Sequence, residues 1–216
     1  QWSLSWSPDS RKLATVKVND VEERRIPLIE SAPSTQKQPI LQWRDYAKPG
    51  DVLSTSLPVL FDVESRKQIA LDTDLYANQF SLYLTGWRAD SRAFTFEFNQ
   101  RGHQRYVVGE VNAETGAITH LADEQVETFF YYNNRIREDL KDGAEMIWAS
   151  ERDGWRHIYL HDNKGQIKHQ ITKGEWVVRN VDYVDEENGV IYFTASGFVA
   201  DEDPYNVHYC RIGIDG

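Results

Sequence analysis

Cysteine is all but missing from this 216-residue sequence: Cys210 stands alone, so no internal disulfide can form and the count leaves the redox compartment open. In the alternating stretch 208–212 that single thiol reads as a small buried hydrophobe. No Asn-x-Ser/Thr sequon occurs, which favours a bacterial source over a secreted eukaryotic one. There is no run of 18 apolar residues and no charged-then-apolar leader, so no membrane span or export signal is expected within the chain. Positive charge is in deficit, with 24 Lys and Arg against 34 Asp and Glu and a formal net charge of -10. A nucleic-acid binder needs a basic face to displace counterions, so nucleic acid is not an expected partner. Gly-x-Ser-x-Gly is missing, and with it the strained elbow that exposes a hydrolase serine. Glycine-rich phosphate loops and cysteine pairs at metal spacing are missing too. No catalytic residue, metal site or cofactor is therefore expected among these residues.

What the sequence does have is aromatic residues, 7 Trp, 11 Tyr and 9 Phe, beside 27% charged residues, a balance that suits a folded, β-rich protein. Its length suits one all-β domain of ordinary size. The clearest unit is a meander: a strand over 146–150, a tight turn at Asp153-Gly154, a strand over 155–161, a turn at 163–165 and a strand over 167–171. That is most of a propeller blade. Trp6-Ser7-Pro8-Asp9-Ser10-Arg11 returns as Trp87-Arg88-Ala89-Asp90-Ser91-Arg92, an internal W-x-x-D-S-R repeat in which each copy leads into an alternating strand.

Four blade-like units follow, over 1–75, 80–122, 142–174 and 177–216. The first exceeds the ~40–50 residues of a propeller repeat and carries an insertion over 20–56 that holds Pro27, Pro33, Pro39 and Pro49 and reads as irregular or edge-like backbone. The second has four strands in about forty residues, as a blade requires. The charged run 135–142 has little apolar periodicity and reads as a loop or solvated turn. The fourth unit lacks its last strand, and the first residue, Gln1, is not Met, so the chain reads as part of a longer polypeptide. Trp87 and Trp155 are expected to be buried anchors between sheets. The fold class is all-β: a β-propeller fragment of about four antiparallel, four-stranded blades.

The ordered set Trp6-Ser7-Pro8-Asp9-Ser10, Asn19-Asp20, Ile26-Pro27-Leu28-Ile29-Glu30, Asp153-Gly154-Trp155-Arg156-His157-Ile158-Tyr159 and Ile171-Thr172-Lys173-Gly174-Glu175-Trp176 resembles the propeller domain of dipeptidyl peptidase IV-type enzymes of the prolyl oligopeptidase group. The likeness covers nearly the whole chain in the right order. One departure is Tyr46-Ala47-Lys48-Pro49-Gly50, where relatives carry Tyr-Pro-Lys-x-Gly. The resemblance implies a parent propeller of seven or eight blades that caps a separate α/β-hydrolase domain, expected beyond Gly216, and a substrate-binding glutamate pair upstream of Trp6. It implies a serine exopeptidase that releases N-terminal dipeptides, in which the propeller gates and binds the peptide. Implied partners are the peptide, the hydrolase domain and a second copy in a homodimer; the implied location is periplasmic or extracellular. A free-standing propeller for protein or glycan recognition is the alternative.

Within the chain, Tyr131, Tyr132, Arg135 and Arg137 are the candidates for lining the substrate cavity. In relatives a propeller segment near here turns an aromatic and an arginine toward the substrate, although these four do not match it in register. His157 and His161 share a strand face but stand about 13 Å apart at a rise of about 3.3 Å per residue, too far for one zinc; the resemblance, which includes the Arg156-His157-Ile158 step, implies a buried or interblade hydrogen bond for His157. Asp72 with Asp74, and Asp201-Glu202-Asp203, lack the glycine and spacing of a calcium loop. Glu22-Glu23 and Glu186-Glu187 read as solvated turns.

Overall fold

The structure, a computed structural model, describes residues 4–22 and 24–216. Strands β1 (Ser5–Trp6) and β2 (Lys12–Asn19) form the inner hairpin of the first sheet. The chain then leaves the sheet as a separate two-stranded hairpin, β3 (Arg25–Glu30) and β4 (Ile40–Asp45), and returns as β5 (Thr55–Asp62) and β6 (Lys67–Ile69). The second sheet is a simple meander of β7 (Gln79–Trp87), β8 (Ala93–Gln100), β9 (Arg105–Asn112) and β10 (Ile118–Gln125). The third runs β11 (Arg137–Leu140), β12 (Glu145–Ser150), β13 (His157–Asp162) and β14 (Ile167–Gln170). The fourth has three strands, β15 (Val177–Asp185), β16 (Val190–Ser196) and β17 (Val207–Gly213). Every pairing is antiparallel, and the sheets stack as successive propeller blades.

Three apolar layers separate the four sheets. Ala14 and Leu60 of the first sheet meet Leu82, Phe94, Phe96, Phe98, Val107 and Val111 of the second. Tyr106, Val108 and Leu121 meet Met146 and Trp148 of the third. Ile147, Ala149, Ile158 and Leu160 meet Val178, Ile191, Phe193 and Ala195 of the fourth. The period of two in β8 explains how one strand serves two layers: Phe94, Phe96 and Phe98 face the first sheet, while Thr95, Glu97 and Asn99 face the third. Each sealed Phe contributes roughly 1.5–3 kcal/mol by removal from water. Gly109 on β9 is required here, because the Phe96 ring lies where a side chain would start, 2.3 Å from an ideal Cβ.

The W-x-x-D-S-R repeat has a structural cause. Asp9 and Asp90 each accept a backbone N–H from the arginine two residues on, at 3.1 and 3.0 Å, which closes the turn between the first two strands of a sheet. These turns are then linked in series along one rim. Asp9 N donates to Ser91 Oγ at 3.0 Å, Ala89 N to Asp142 Oδ1 at 2.9 Å and Lys141 N to Glu186 Oε2 at 2.9 Å, so each sheet's turn grips the next.

Of the two readings of the insertion 20–56, irregular or edge-like, the structure shows the edge-like one: it holds a regular hairpin, β3–β4, outside the first sheet, whose proline sits in a strand that pairs on one side only. Two expectations need correction. The charged run 135–142 is not all loop: Arg137–Leu140 is the inner strand of the third sheet, with Arg137 and Asp139 paired to Glu97 and Arg88 of the second sheet. Trp155 is 40% exposed. It lies in the turn closed by Asp153, ahead of the first paired residue, His157, so its ring stays outside the sheet interface. Trp148, fully buried, takes the anchoring place instead. Trp87 is half-buried, with its ring 5.3 Å from Phe94 and its Nε1 donating to Ser5 O of the first sheet at 3.2 Å.

Candidate functional site

The segment between β10 and β11 crosses from the second sheet to the third and carries the aromatic run and Arg135, and Arg137 opens β11. Its anchor is Glu97, at the centre of β8 and 3% exposed. Tyr83 stands directly opposite on β7, and Tyr106 sits diagonally on β9. Both phenols donate to Glu97 Oε2 at 2.5 Å. From the other side Arg135 Nε donates to the same oxygen at 2.5 Å, and Arg137 Nη1 reaches Oε1 at 3.1 Å. The chain of charges continues: Arg137 pairs through Nε and Nη2 with Asp139, Arg88 Nη1 meets Asp139 at 2.5 Å, and Arg88 Nε meets Glu110 at 2.6 Å. Three guanidiniums and three carboxylates alternate between the sheets, so the buried charge sums to zero.

The titration behaviour follows from this geometry. Burial pushes the Glu97 carboxyl up, but the Tyr106 and Tyr83 hydroxyls with Arg135 and Arg137 outweigh it and hold the group below the ordinary glutamate range. Asp139 is likewise penalised by burial and still held low by Arg137 and Arg88. The Tyr106 phenol is pushed up, by burial first and then by the Glu97 charge, and stays protonated as a donor.

Above this network the aromatic run splits into two groups. Phe130 lies between Tyr106 and Trp148, at centroid distances of 5.0 and 6.1 Å, and closes the layer between the sheets. Phe129 and Tyr132 flank His103 of the β8–β9 turn at 5.2 and 4.8 Å. A small cavity of about 50 Å³ lies beside them, lined by Glu124, Phe129, Tyr131, Arg135, Glu151 and Arg156 among others. Its floor is fixed by Glu124, which accepts from Trp148 Nε1 at 3.0 Å and Ser150 Oγ at 2.9 Å and pairs with Arg152.

The four sequence candidates therefore separate. Tyr131 lines the cavity with its ring well exposed, and Arg135 lines it while bonded to Glu97 and Tyr83. Tyr132 is turned away, onto His103 and Phe80. Arg137 is enclosed in the ion-pair chain and borders a different depression, with Thr85, Trp87 and Arg88. Sequence reasoning missed Glu97, Tyr83, Tyr106, Glu124 and Arg156. The available signal was the lone acid in Phe94-Thr95-Phe96-Glu97-Phe98, which alternation alone assigns to a solvent face.

Among the described residues, no three His, Cys, Asp or Glu side chains gather closely enough to hold a metal ion. His157 is fully buried and hydrogen-bonded, as the resemblance implied: one ring nitrogen faces Gly174 O at 2.8 Å and the other Thr172 Oγ1 at 3.1 Å. A carbonyl can only accept, so Nε2 carries a proton toward Gly174 O. No helix among the described residues is long and apolar enough to cross a membrane.

The family profile described as the dipeptidyl peptidase IV N-terminal region matches residues 2–215. A protein of Aspergillus flavus named a probable dipeptidyl peptidase 4 is 24% identical over 233 residues, spanning 99% of this chain and 29% of its own length. The dipeptidyl peptidase 4 of Trichophyton equinum is 41% identical over 60 residues, 28% of this chain and 8% of that protein. In three dimensions the chain is similar to part of Porphyromonas gingivalis dipeptidyl peptidase 4, with a TM-score of 0.70 at 23% identity over 99% of this chain and 29% of that one. That likeness speaks to the fold, and the chain spans less than a third of the length of these proteins. With four sheets stacked as blades and a profile match that omits only the first and last residues, the chain belongs to the dipeptidyl peptidase IV N-terminal region family.

Proposed function

We propose that these residues form part of the substrate-gating and peptide-binding propeller of a serine-type peptidase that releases dipeptides from peptide N-termini. The nucleophile belongs to an α/β-hydrolase domain elsewhere in the same polypeptide, and this portion supplies wall and access rather than chemistry. The observation that carries the reading is the aromatic rim at Phe129 and Tyr131, held solvent-facing over a cavity by a buried, charge-balanced support. A rim needed only for packing would be enclosed like Phe130. Tyr131 and Arg135 keep cavity-lining roles in this proposal, Arg135 chiefly by holding the loop on Glu97; Tyr132 and Arg137 act as supports.

The β3–β4 hairpin fits the same reading as a contact between two copies of the chain. Ile29, Leu41 and Trp43 share one of its faces and are exposed, and both of its strands keep an unpaired edge. Edges of this kind pair readily across a two-fold axis.

The test is turnover of glycyl-prolyl-p-nitroanilide by the full-length polypeptide. Hydrolysis blocked by a serine-directed inhibitor is expected, with Tyr131→Ala raising KM about three- to tenfold and altering kcat little, as loss of uniform binding does. A full-length protein that folds and binds no peptide, or turnover indifferent to serine-directed reagents, refutes the proposal.

A further inference from the structure

Arg156 lines the cavity from the turn just ahead of β13, and among the described residues no carboxylate forms an ion pair with it. Its Nη1 donates to Val178 O at 3.2 Å and Arg179 O at 2.9 Å, and its Nη2 to Asn134 O. Three carbonyls occupy three of the five N–H groups of a guanidinium. Among the described residues no carboxylate lies within ion-pair distance of it, whereas Arg135, Arg137, Arg88 and Arg152 nearby each have one. Among the described residues its Nε has no acceptor, and it is not among the nitrogens sealed from solvent.

The surroundings strengthen the imbalance. Arg179, exposed at the start of β15 and without an ion-pair partner among the described residues, lies close enough to act on Arg156 electrostatically; Glu151 opposes it from the cavity edge. Burial is the largest influence on the Arg156 pKa, and with Arg179 it outweighs Glu151 and lowers it. Arg135, the other cation of the cavity, is already neutralised by Glu97. In a chain of net charge -10, an arginine with unused donors here lines a cavity of about 50 Å³, room for a single small group. Arginine's planar fork is matched to carboxylate geometry.

We propose that Arg156 is a specificity-determining residue that receives the side-chain carboxylate of an acidic residue in a bound peptide. The acid's stem rests on Phe129 and Tyr131, and Arg179 adds long-range attraction. The inference rests on the peptide-binding reading of this cavity and deepens it by naming the side-chain class.

It is tested in the full-length polypeptide with peptides Gly-Pro-Ala-Ala-Ala in which the third, fourth or fifth residue is replaced by Glu or by Gln, each followed by mass spectrometry for kcat/KM. At one position Glu should be preferred over Gln by about tenfold, the scale of one charge-assisted hydrogen bond in a partly buried site. Raising salt from about 0.05 to 0.5 M should shrink the preference, since the site is open to screening. Arg156→Gln should abolish it. Because Arg156 also ties three carbonyls, two exposed changes give a second reading: Glu151→Gln should raise the Glu-to-Gln ratio about two- to threefold, and Arg179→Gln should lower it. Equal cleavage of Glu and Gln peptides at all three positions overturns the inference and leaves the peptidase reading standing. A preference that survives Arg156→Gln, or that ignores both exposed changes, also overturns it. If neither these peptides nor glycyl-prolyl-p-nitroanilide is cleaved, the peptidase reading itself fails and takes this inference with it.

Discussion

Replacing Glu97 with Gln keeps the volume of the buried side chain and removes its charge. Two phenols and two guanidiniums converge on that carboxylate, so the substitution leaves four donors facing an amide that can accept at only one atom. Removing one partner of a buried ion pair costs about 3–5 kcal/mol. Two features moderate this: Arg137 keeps Asp139, and Arg135, about a third exposed, can turn into water. The expected loss is about 3 kcal/mol, which for a chain of this size lowers Tm by roughly 6–12 °C. The pH dependence gives a second handle. The folded-state pKa of Glu97 lies below its ordinary value of 4.5, so the stabilisation is complete above about that pH and is lost as pH falls through the lower folded-state value. Gln does not titrate, so the gap between wild type and variant should be widest near neutral pH and should close as the solution is acidified below 4.5. Differential scanning calorimetry across that range measures both quantities. A Tm change of under about 2 °C at neutral pH, or a gap that stays constant on acidification, refutes the claim that this carboxylate holds the two sheets together.

Two further outcomes follow from the same geometry. Gly143→Ala places a Cβ 2.1 Å from Arg88 Cζ, in a turn where the glycine φ is +83° after two residues already at positive φ, so a loss of at least about 2 kcal/mol is expected in urea unfolding. Wild-type stability at this position would mean that the rim linkage through Arg88 and Asp142 is looser than drawn. Trp43→Ser removes the largest apolar group of the projecting hairpin, 60% exposed, so if the proposed hairpin contact joins two copies it should convert that dimer to monomer in light scattering while shifting Tm by under about 2 °C. An unchanged dimer would place the contact elsewhere.

The sequence by itself determined the elements whose signals are local. Strand β9 could be bounded at Arg105 and Asn112 because its alternation ends in turn residues on both sides, and the W-x-x-D-S-R repeat announced two equivalent turns because aspartate closes such a turn within its own few residues. The count of sheets and the three-stranded state of the fourth came from the same local punctuation. Tertiary structure alone decided which polar residues are inside. Alternation assigns Glu97, Thr95 and Asn99 to one face of β8, but only the arrival of the third sheet makes that face an interior. Arg137 and Asp139 gave no apolar period to mark β11, because their burial is compensated by Glu97 and Arg88, which lie 40 and 51 residues earlier. Trp155 carried the opposite error: a large aromatic beside a strand is an anchor only if its position in the turn points it inward, and here the turn points it outward. Arg156 could be seen as a charge in the sequence but not as an uncompensated one, since that depends on which carboxylates the fold brings within reach, and electrostatic partnership acts across space regardless of the distance along the chain.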